Sequence, residues 1–290
     1  MYPVLKAKDT VFYKKSTLNA GGKIVSLASP VVMGILNITP DSFFDGGQYT
    51  TFENYLARAE KMLEEGATIL DIGGYSSRPG AVDIAPDEEQ ARVVPAIKAI
   101  KQAFPDCLIS IDTFRAQVAE AAVNAGADII NDISGGELDA AMFETAGRLR
   151  VPYILMHMRG NPQTMNQLTQ YEDIIQELVH YFEQKTAALY ALGLTNIILD
   201  PGFGFAKTID QNFEVLRRLD DLKIMGLPIL AGLSRKSMTY KTLNIPASEA
   251  LAGTIALNTI ALMHGANILR VHDVKEAVQT IKLIKKSVTL

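Results

Sequence analysis

Eight short apolar runs recur along the chain, and each one ends in polar residues. Continuous apolar runs are typical of parallel strands that are buried on both faces. A polar residue at the carboxyl end of each run is the pattern of a closed α/β barrel, because such barrels build their sites at that end. Representative polar ends are Asn37, Asp71, Asp112, Asn131, His157, Asp200, Lys236 and Arg270.

The spacing of the runs predicts alternating strands and helices. Strands are predicted at 31–36, 68–70, 108–111, 128–130, 153–155, 196–199, 228–231 and 267–269. Helices are predicted at 52–65, 87–104, 115–125, 138–147, 171–192, 209–219, 248–265 and 273–287. An open doubly wound sheet would share this alternation, but eight strands with polar ends favour closure. We therefore predict a (β/α)8 TIM barrel over residues 31–290, with residues 1–30 as an N-terminal extension packed on it.

The composition argues against several classes of protein. The 28 basic and 32 acidic residues give a net charge of −4 without a basic block, so no nucleic-acid partner is expected. The single Cys107 argues against a disulfide framework or a thiolate zinc site. No signal-peptide core or apolar membrane run is apparent, so we expect a cytoplasmic protein without a membrane partner.

Charged and amide side chains at the strand ends indicate two kinds of ligand group. Asp112, Asn131 and Asp200 follow apolar runs, where their desolvation is offset by a ligand that donates hydrogen bonds. The alternative is that these carboxylates cap helices or pair with Arg235 or Lys236. A complementary basic set implies an anion near the last two strands, where this fold often binds phosphate. That set is Arg78, Arg235, Lys236, Arg270 and His272.

Three further interpretations concern loops and single residues. Loops 39–48 and 73–85 are rich in glycine and proline and carry polar residues, so we expect them to close over a substrate. His157 lies between two methionines, and a packing role beneath the ligand is favoured over catalysis. Lys207 is left open between a substrate contact and solvent exposure.

Two longer motifs carry a resemblance to a known family. Residues 33–47, MGILNITPDSFFDGG, and residues 71–80, DIGGYSSRPG, resemble the two signatures of the dihydropteroate synthase family. Further blocks match in order over residues 31 to 285. The second signature most often has an acidic residue where this chain has Tyr75, and threonine where it has Ser77. The lost charge is expected to alter how the second loop packs.

The resemblance implies substrates, a metal and residue roles. A pterin pyrophosphate and p-aminobenzoate would give 7,8-dihydropteroate and pyrophosphate, with Mg²⁺ held by Asn37 and substrate oxygens. Catalysis would rest on Asp112, Asp200, Lys236 and Arg270. The pterin would be bound by Asp112, Asn131, Asp200 and Lys236. The pyrophosphate would be bound by Arg78, Arg270 and His272, and p-aminobenzoate by Ser77, Phe205 and Ser237. Arg270, as a strand-end cation, is expected to offer its charge to the ligand and not to the core.

The family chemistry implies a dissociative substitution, in which pyrophosphate leaves before the arylamine attacks. No protein nucleophile is then needed. Three alternatives stay open: a pterin-dependent methyltransferase, a Schiff-base aldolase using Lys236, and a non-catalytic paralogue that binds pterin. An assay for pyrophosphate release distinguishes them.

A homodimer is expected from the helix at 250–263, which has no charged residue. An outer helix of a monomeric barrel should carry a polar stripe. We assign Leu251, Ile255 and Leu262 to the strands, and Leu257, Ile260 and Ala261 to a second copy of the chain. The alternative is that the N-terminal extension covers this surface.

Overall fold

The computed structural model describes residues 15–38, 51–75 and 84–287. Its strands are β1 Thr17–Ala20, β2 Lys23–Ser26, β3 Val31–Asn37, β4 Ile69–Gly73, β5 Leu108–Asp112, β6 Ile129–Asp132, β7 Tyr153–Met156, β8 Ile197–Asp200, β9 Leu230–Ala231 and β10 Ile268–Val271. β1 and β2 form an antiparallel hairpin, and the other eight strands form one parallel sheet. The predicted α/β barrel architecture is confirmed.

Nearly complete closure of the sheet gives the barrel. The strand order is β8, β7, β6, β5, β4, β3, β10 and β9. Strands that are neighbours in the sheet are therefore consecutive in the chain, except for β3 and β10. The two outer strands then meet at a parallel bridge between Leu199 and Ile229, where the Leu199 N–H donates to the Pro228 carbonyl at 2.8 Å. We call this contact between β8 and β9 the seam.

Helices surround the sheet. They are α1 Thr51–Glu64, α2 Pro86–Ala103, α3 Ala116–Asn124, α4 Met142–Leu149, α5 Ile174–Ala191, α6 Ile209–Arg217, α7 Ser237–Leu243, α8 Leu251–Met263 and α9 Val274–Ser287. The predicted helix at 248–265 is shorter, because a 3-10 turn, Ala247–Glu249, precedes α8. α7 was not predicted; it ends at Asn244, whose left-handed backbone turns the chain before Pro246.

Seven of the eight barrel strands extend further at their carboxyl ends than predicted and, except for β7, take in polar residues, whereas β9, predicted at 228–231, is only Leu230–Ala231. Asp112 and Asp200 are the last residues of β5 and β8, and Asn131 lies inside β6. Their backbones stay in the parallel ladder while their side chains are polar. These three side chains therefore stand on strands, which are more rigid than loops.

The N-terminal hairpin covers the amino end of the barrel. Leu18, Ala20 and Leu27 are buried in one apolar cluster with residues from the starts of the barrel strands. Those strand residues are Met33, Ile69, Leu108, Ile129, Ile154, Ile198, Leu230 and Ile268. The hairpin thus closes the end opposite the strand-end carboxylates.

The predicted faces of α8 were partly wrong. Leu257 and Ala261, assigned to a second chain, are buried, and Leu262 is buried as predicted. Leu251 and Ile255, assigned to the strands, are only half-buried. The reason is that the inward face includes the polar Thr254 and Asn258, so hydrophobicity does not mark its direction. Apolar Ile260 and Met263 are exposed on the other side.

Within residues 15–38, 51–75 and 84–287, no helix is both long enough and apolar enough to cross a bilayer.

Candidate active site

Arg270 lies between two carboxylates at the carboxyl end of the barrel. Its Nε donates to Asp71 Oδ2 at 2.6 Å and its Nη2 to Asp112 Oδ2 at 2.5 Å. The same Asp71 oxygen also accepts from Asn131 Nδ2 at 3.1 Å. β10, β4, β5 and β6 each supply one of these side chains. We call Asp71, Asp112, Asn131 and Arg270 the mouth network.

The expectation that Arg270 keeps its charge away from the core is therefore wrong. Two carboxylates compensate the guanidinium, because Asp71 and Asp112 need a cation in a desolvated mouth. Asp71 has no solvent exposure, and its second oxygen, Oδ1, has no hydrogen-bond partner within residues 15–38, 51–75 and 84–287.

Asp71 is a member of the mouth network to which the sequence analysis assigns no role beyond that of a polar strand end. The available signal was a carboxylate enclosed by Ile69, Leu70 and Ile72, since a charge inside a buried strand requires a partner. The identity of that partner, Arg270, depends on the barrel bringing β4 and β10 to either side of β3.

Burial makes the protonation states of the mouth unusual. It raises the pKa of Asp112 to about 7, with Arg270 opposing the shift and Asp71 reinforcing it. Burial also raises the pKa of Asp200, although the Gly202 N–H, which donates to Asp200 Oδ1 at 2.7 Å, favours the carboxylate. A ligand that donates hydrogen bonds here would stabilise the charged forms.

Lys236 places a cation opposite these acids. Burial, followed by the charge of Arg270, lowers the pKa of Lys236 to about 8, while Asp200 and Asp112 oppose the shift. Its Nζ lies 4.4 Å from the centroid of the Phe205 ring. The ammonium thus rests on an aromatic face beside the carboxylates. Ser237, the first residue of α7, follows it directly.

Lys207 is buried, which excludes the solvent-exposed alternative given above. Its buried Nζ donates to the carbonyls of Gly202 and Phe205, each at 3.1 Å, and lies 3.0 Å from His157 Nδ1. Burial lowers the pKa of Lys207 to about 7 and that of His157 well below its usual value. His157 packs edge-on to Tyr181, so its predicted packing role fits the geometry.

The last two barrel loops are tied together. His272 Nδ1 lies 3.1 Å from Ser234 Oγ, and the His272 N–H donates to the same oxygen. Arg235, expected in the anion-binding set, instead forms two 2.9 Å hydrogen bonds with Asp273. Its guanidinium therefore holds loops together. Arg78 and Ser77 lie outside the described residues, as do 39–48 and most of 73–85.

Asn37 places a side-chain oxygen near Gly73 and Asp112. It ends β3, and a side-chain carbon placed on Gly73 would be 3.6 Å from Asn37 Oδ1 and 3.7 Å from Asp112 Oδ2. Its amide oxygen thus faces the mouth. No group of three or more His, Cys, Asp and Glu suited to a metal occurs in residues 15–38, 51–75 and 84–287. A single oxygen ligand suits Mg²⁺ only when substrate phosphates complete its coordination.

The chain is similar in sequence and fold to known proteins. Residues 33–272 match the model of a family described as pterin binding enzymes. The dihydropteroate synthase of Escherichia coli (strain K12) is 42% identical over 274 residues, which cover 94% of this chain and 96% of that protein.

Two solved structures of the Xanthomonas albilineans dihydropteroate synthase are also similar. The one with 4-aminobenzoic acid has a TM-score of 0.88 at 37% identity, covering 95% of this chain and 99% of that one. The complex with 7,8-dihydropteroate has a TM-score of 0.85 at 35% identity, covering 94% and 99%. The chain therefore belongs to the family of pterin-binding enzymes, among its dihydropteroate synthases.

Proposed function

We propose that this enzyme joins 6-hydroxymethyl-7,8-dihydropterin pyrophosphate to p-aminobenzoate, releasing pyrophosphate and 7,8-dihydropteroate for folate synthesis. The observation that carries the proposal is the mouth network, with Asp200 and Lys236 beside it. Structures of a relative with 4-aminobenzoic acid and with 7,8-dihydropteroate support the choice of second substrate and product.

The pterin fits the donor and acceptor pattern of the mouth. Asp112 and Asp200 accept from its amino and ring N–H groups, and Lys236 donates to its ring acceptors. Asn131 can both donate to the pterin and accept from it, although its Nδ2 already donates one hydrogen bond to Asp71 Oδ2. The ligand thereby adds hydrogen bonds to two acids whose pKa values are raised by burial.

Departure of pyrophosphate creates negative charge on one side and a pterin cation on the other. Arg270 and His272, together with Arg78, stabilise the departing anion. Asp112 and Asp200 stabilise the cation electrostatically, so no protein nucleophile takes part. Mg²⁺, when held by Asn37 and substrate oxygens, neutralises charge on the phosphates.

The arylamine approaches from the side of Phe205 and Ser237. The Phe205 ring offers an aromatic face, and the Ser237 hydroxyl can donate to the p-aminobenzoate carboxylate. Lys236 already lies against the same ring, so Phe205 borders both the pterin and the arylamine subsites. Ser77 would complete the second subsite.

The decisive experiment incubates the purified protein with the pterin pyrophosphate, p-aminobenzoate and Mg²⁺. We expect equal amounts of pyrophosphate and dihydropteroate, detected by enzymatic assay and mass spectrometry. Asp200→Asn should abolish both, and Asn37→Ala should raise the Mg²⁺ concentration needed. Pterin binding without either product would show a non-catalytic paralogue. Transfer of a methyl group from a folate would instead show a methyltransferase.

Two further properties belong to this proposal. We propose a homodimer formed through the exposed apolar side of α8, which includes Ile260 and Met263. We also propose a cytoplasmic location, to be checked by fractionation of cells that express the chain.

A further inference from the structure

The short turn that follows β8 carries Phe205 and contains a strained residue. It covers residues 201–206, between Asp200 at the end of β8 and Lys207. Ala206 in this turn has a left-handed backbone, with a φ of 48°, and is fully buried. A residue with a side chain is strained in this conformation, so contacts with its neighbours must hold it there.

Two side chains bind the peptide carbonyls on either side of Ala206. Lys207 Nζ donates to the Phe205 carbonyl at 3.1 Å, and the Tyr171 hydroxyl donates to the Ala206 carbonyl at 2.9 Å. The first carbonyl belongs to the peptide that precedes Ala206, and the second belongs to the peptide that follows it. Because hydrogen bonds are directional, rotation about φ or ψ of Ala206 would turn a carbonyl away from its donor. The two bonds therefore hold the left-handed conformation.

Lys207 also binds the beginning of the turn. Its Nζ donates to the Gly202 carbonyl at 3.1 Å, and the same carbonyl accepts from the Phe205 N–H at 3.1 Å. The backbone of Phe205 is thus held at both its N–H and its C=O. Burial lowers the pKa of Lys207 to about 7, and Asp200 opposes the shift. A neutral amine still has two N–H donors, one for each carbonyl, so both bonds persist through this titration.

The direction of Phe205 matters because its side chain has two sets of neighbours. It is buried in an apolar cluster that includes Met156, Met158 and Met165. The Lys236 Nζ lies 4.4 Å from the centroid of the ring. A rotation of the turn would therefore move the ring relative to both the apolar cluster and the mouth.

Asp200, at the start of the same turn, is held by the barrel. It ends β8 in register with Met156 of β7, and its carbonyl accepts from the His157 N–H at 2.9 Å. These are contacts of the strand ladder, which does not depend on the conformation of Ala206. A displaced turn should therefore move Phe205 more than Asp200.

We propose that Lys207 and Tyr171 are positioning residues for p-aminobenzoate, because they hold Ala206 in its left-handed conformation and so set the direction of Phe205. We call Tyr171, Ala206 and Lys207 the Ala206 clamp. The inference rests on the proposed function, in which Phe205 binds the second substrate. The clamp acts through carbonyls of the protein, so its loss should weaken the binding of p-aminobenzoate without altering the chemical step.

The first test is Lys207→Met, which keeps most of the length of the side chain and removes its N–H donors. We expect the KM for p-aminobenzoate to rise about tenfold while kcat stays near that of the wild type, the pattern of lost binding. Calorimetry should show that the affinity for the pterin alcohol changes less.

Tyr171→Phe tests the other half of the clamp. It removes the hydroxyl but keeps the ring, over which the Arg159 Cζ lies at 4.0 Å. The KM for p-aminobenzoate should again rise, by a smaller factor than in Lys207→Met, because one hydrogen bond to the turn is lost instead of two.

A second substitution separates the relief of strain from simple packing. Glycine adopts a positive φ without strain, so Ala206→Gly added to Lys207→Met should lower the raised KM. Lost packing could not be repaired in this way, because glycine adds no atoms to the turn.

Lys101→Met is the matched control. Lys101 Nζ also donates to a carbonyl, that of Cys107, and to Asp128 Oδ2, each at 2.6 Å. Cys107 directly precedes β5, so these contacts lie at the amino end of the barrel. Lys101→Met should leave the KM for p-aminobenzoate unchanged even if it lowers the stability of the fold.

Three results would overturn the proposal. They are a folded Lys207→Met with a normal KM, a raised KM that Ala206→Gly does not lower, and a pterin alcohol affinity that falls as much as that for p-aminobenzoate. If Lys207→Met does not fold, Tyr171→Phe with and without Ala206→Gly decides by the same criteria. A wild-type enzyme that forms no dihydropteroate refutes the proposed function, which is an outcome separate from these.

Discussion

At the scale of single residues, the mouth brings acids and bases together before a ligand binds. Arg270 compensates both Asp71 and Asp112, so removing it leaves two buried carboxylates without their cation. Loss of one partner of such a buried pair typically costs about 3–5 kcal/mol. Under the proposed function, Arg270→Ala should therefore weaken the binding of the bare pterin alcohol as well as that of the pterin pyrophosphate.

Asp71→Asn should impair catalysis while the fold is retained. The substitution keeps the shape but removes the charge that orients Arg270 and Asn131 together. We expect kcat/KM to fall about a hundredfold, the effect of an error of about 1 Å in positioning. Steady-state kinetics provide the measurement. Asp221→Asn, at an exposed carboxylate paired with Arg218, is the control and should behave as wild type.

Pterin affinity should have a narrow pH optimum. Binding requires the Asp112 carboxylate, whose pKa is raised to about 7, and the Lys236 ammonium, whose pKa is lowered to about 8. Affinity for the pterin should therefore rise as pH increases through 7 and fall beyond 8. Calorimetric titrations at several pH values measure it, and Asp112→Asn should remove the acid limb.

The contribution of Asp112 to stability should have the opposite slope. Because folding raises its pKa from 3.8 to about 7, the folded protein holds this proton more tightly than the unfolded chain does. The stabilising contribution is complete below pH 3.8 and is lost as pH rises through about 7. Subtracting the urea-unfolding free energies of Asp112→Asn from those of wild type isolates this term. A difference that does not vary with pH would contradict it.

The sequence predicts which residues lie at the site better than it predicts where their side chains point. Asp112, Asn131, Asp200 and Lys236 follow apolar runs, and the structure brings them to one mouth. The contacts of Lys207 and Arg235 could not be predicted, because the direction of each side chain depends on backbone geometry that sequence patterns do not reveal. Ala206 and Arg235 have left-handed φ values of 48° and 53°. These turns direct the two cations into hydrogen bonds with the protein's own carbonyls and carboxylates.

At the scale of elements, α8 shows why periodicity predicts a helix more reliably than its orientation. Its buried face combines Leu257 and Ala261 with the polar Thr254 and Asn258, while Ile260 is exposed. Apolar residues therefore occur all round the axis. Only the neighbouring helices and strands decide which side is covered.

The exposed side of α8 should form the dimer. Light scattering at micromolar concentration should give about twice the 31.6 kDa chain mass, since two-fold contacts are the commonest solution for an apolar surface. Ile260→Glu should lower that mass towards a monomer by burying a charge at the contact. Leu283→Glu is the matched control, because Leu283 is an exposed apolar residue on α9. A monomeric wild type would refute the assignment.

At the scale of the whole molecule, the number of strands predicted the barrel. The extent of strand pairing where the barrel closes could not be predicted from the sequence. Pairing along the sheet runs in register for up to five residue pairs, as between β3 and β4. β9 has only two residues, and the described residues at the seam share one bridge. Local patterns locate strands, whereas the seam depends on how eight of them fit around one axis.

The substrates should bind in a fixed order. Under the proposed function p-aminobenzoate binds at Phe205 and Ser237, and loops 39–48 and 73–85, which lie mostly outside the described residues, are expected to complete this subsite only by closing over bound pyrophosphate. The arylamine should bind poorly to the free enzyme and well in the presence of pterin, pyrophosphate and Mg²⁺. Calorimetry in both conditions measures this difference. Equal affinities would refute the order.

The seam has a consequence for the mechanical integrity of the barrel. Asp200 ends one of its strands, and Lys236 follows the other. A pterin bound by both residues would link the two strands of the seam, which is the weakest contact of the barrel. Bound ligand would then suppress local opening motions that separate β8 from β9. A circular permutant whose termini lie between these strands would depend on pterin to stay folded.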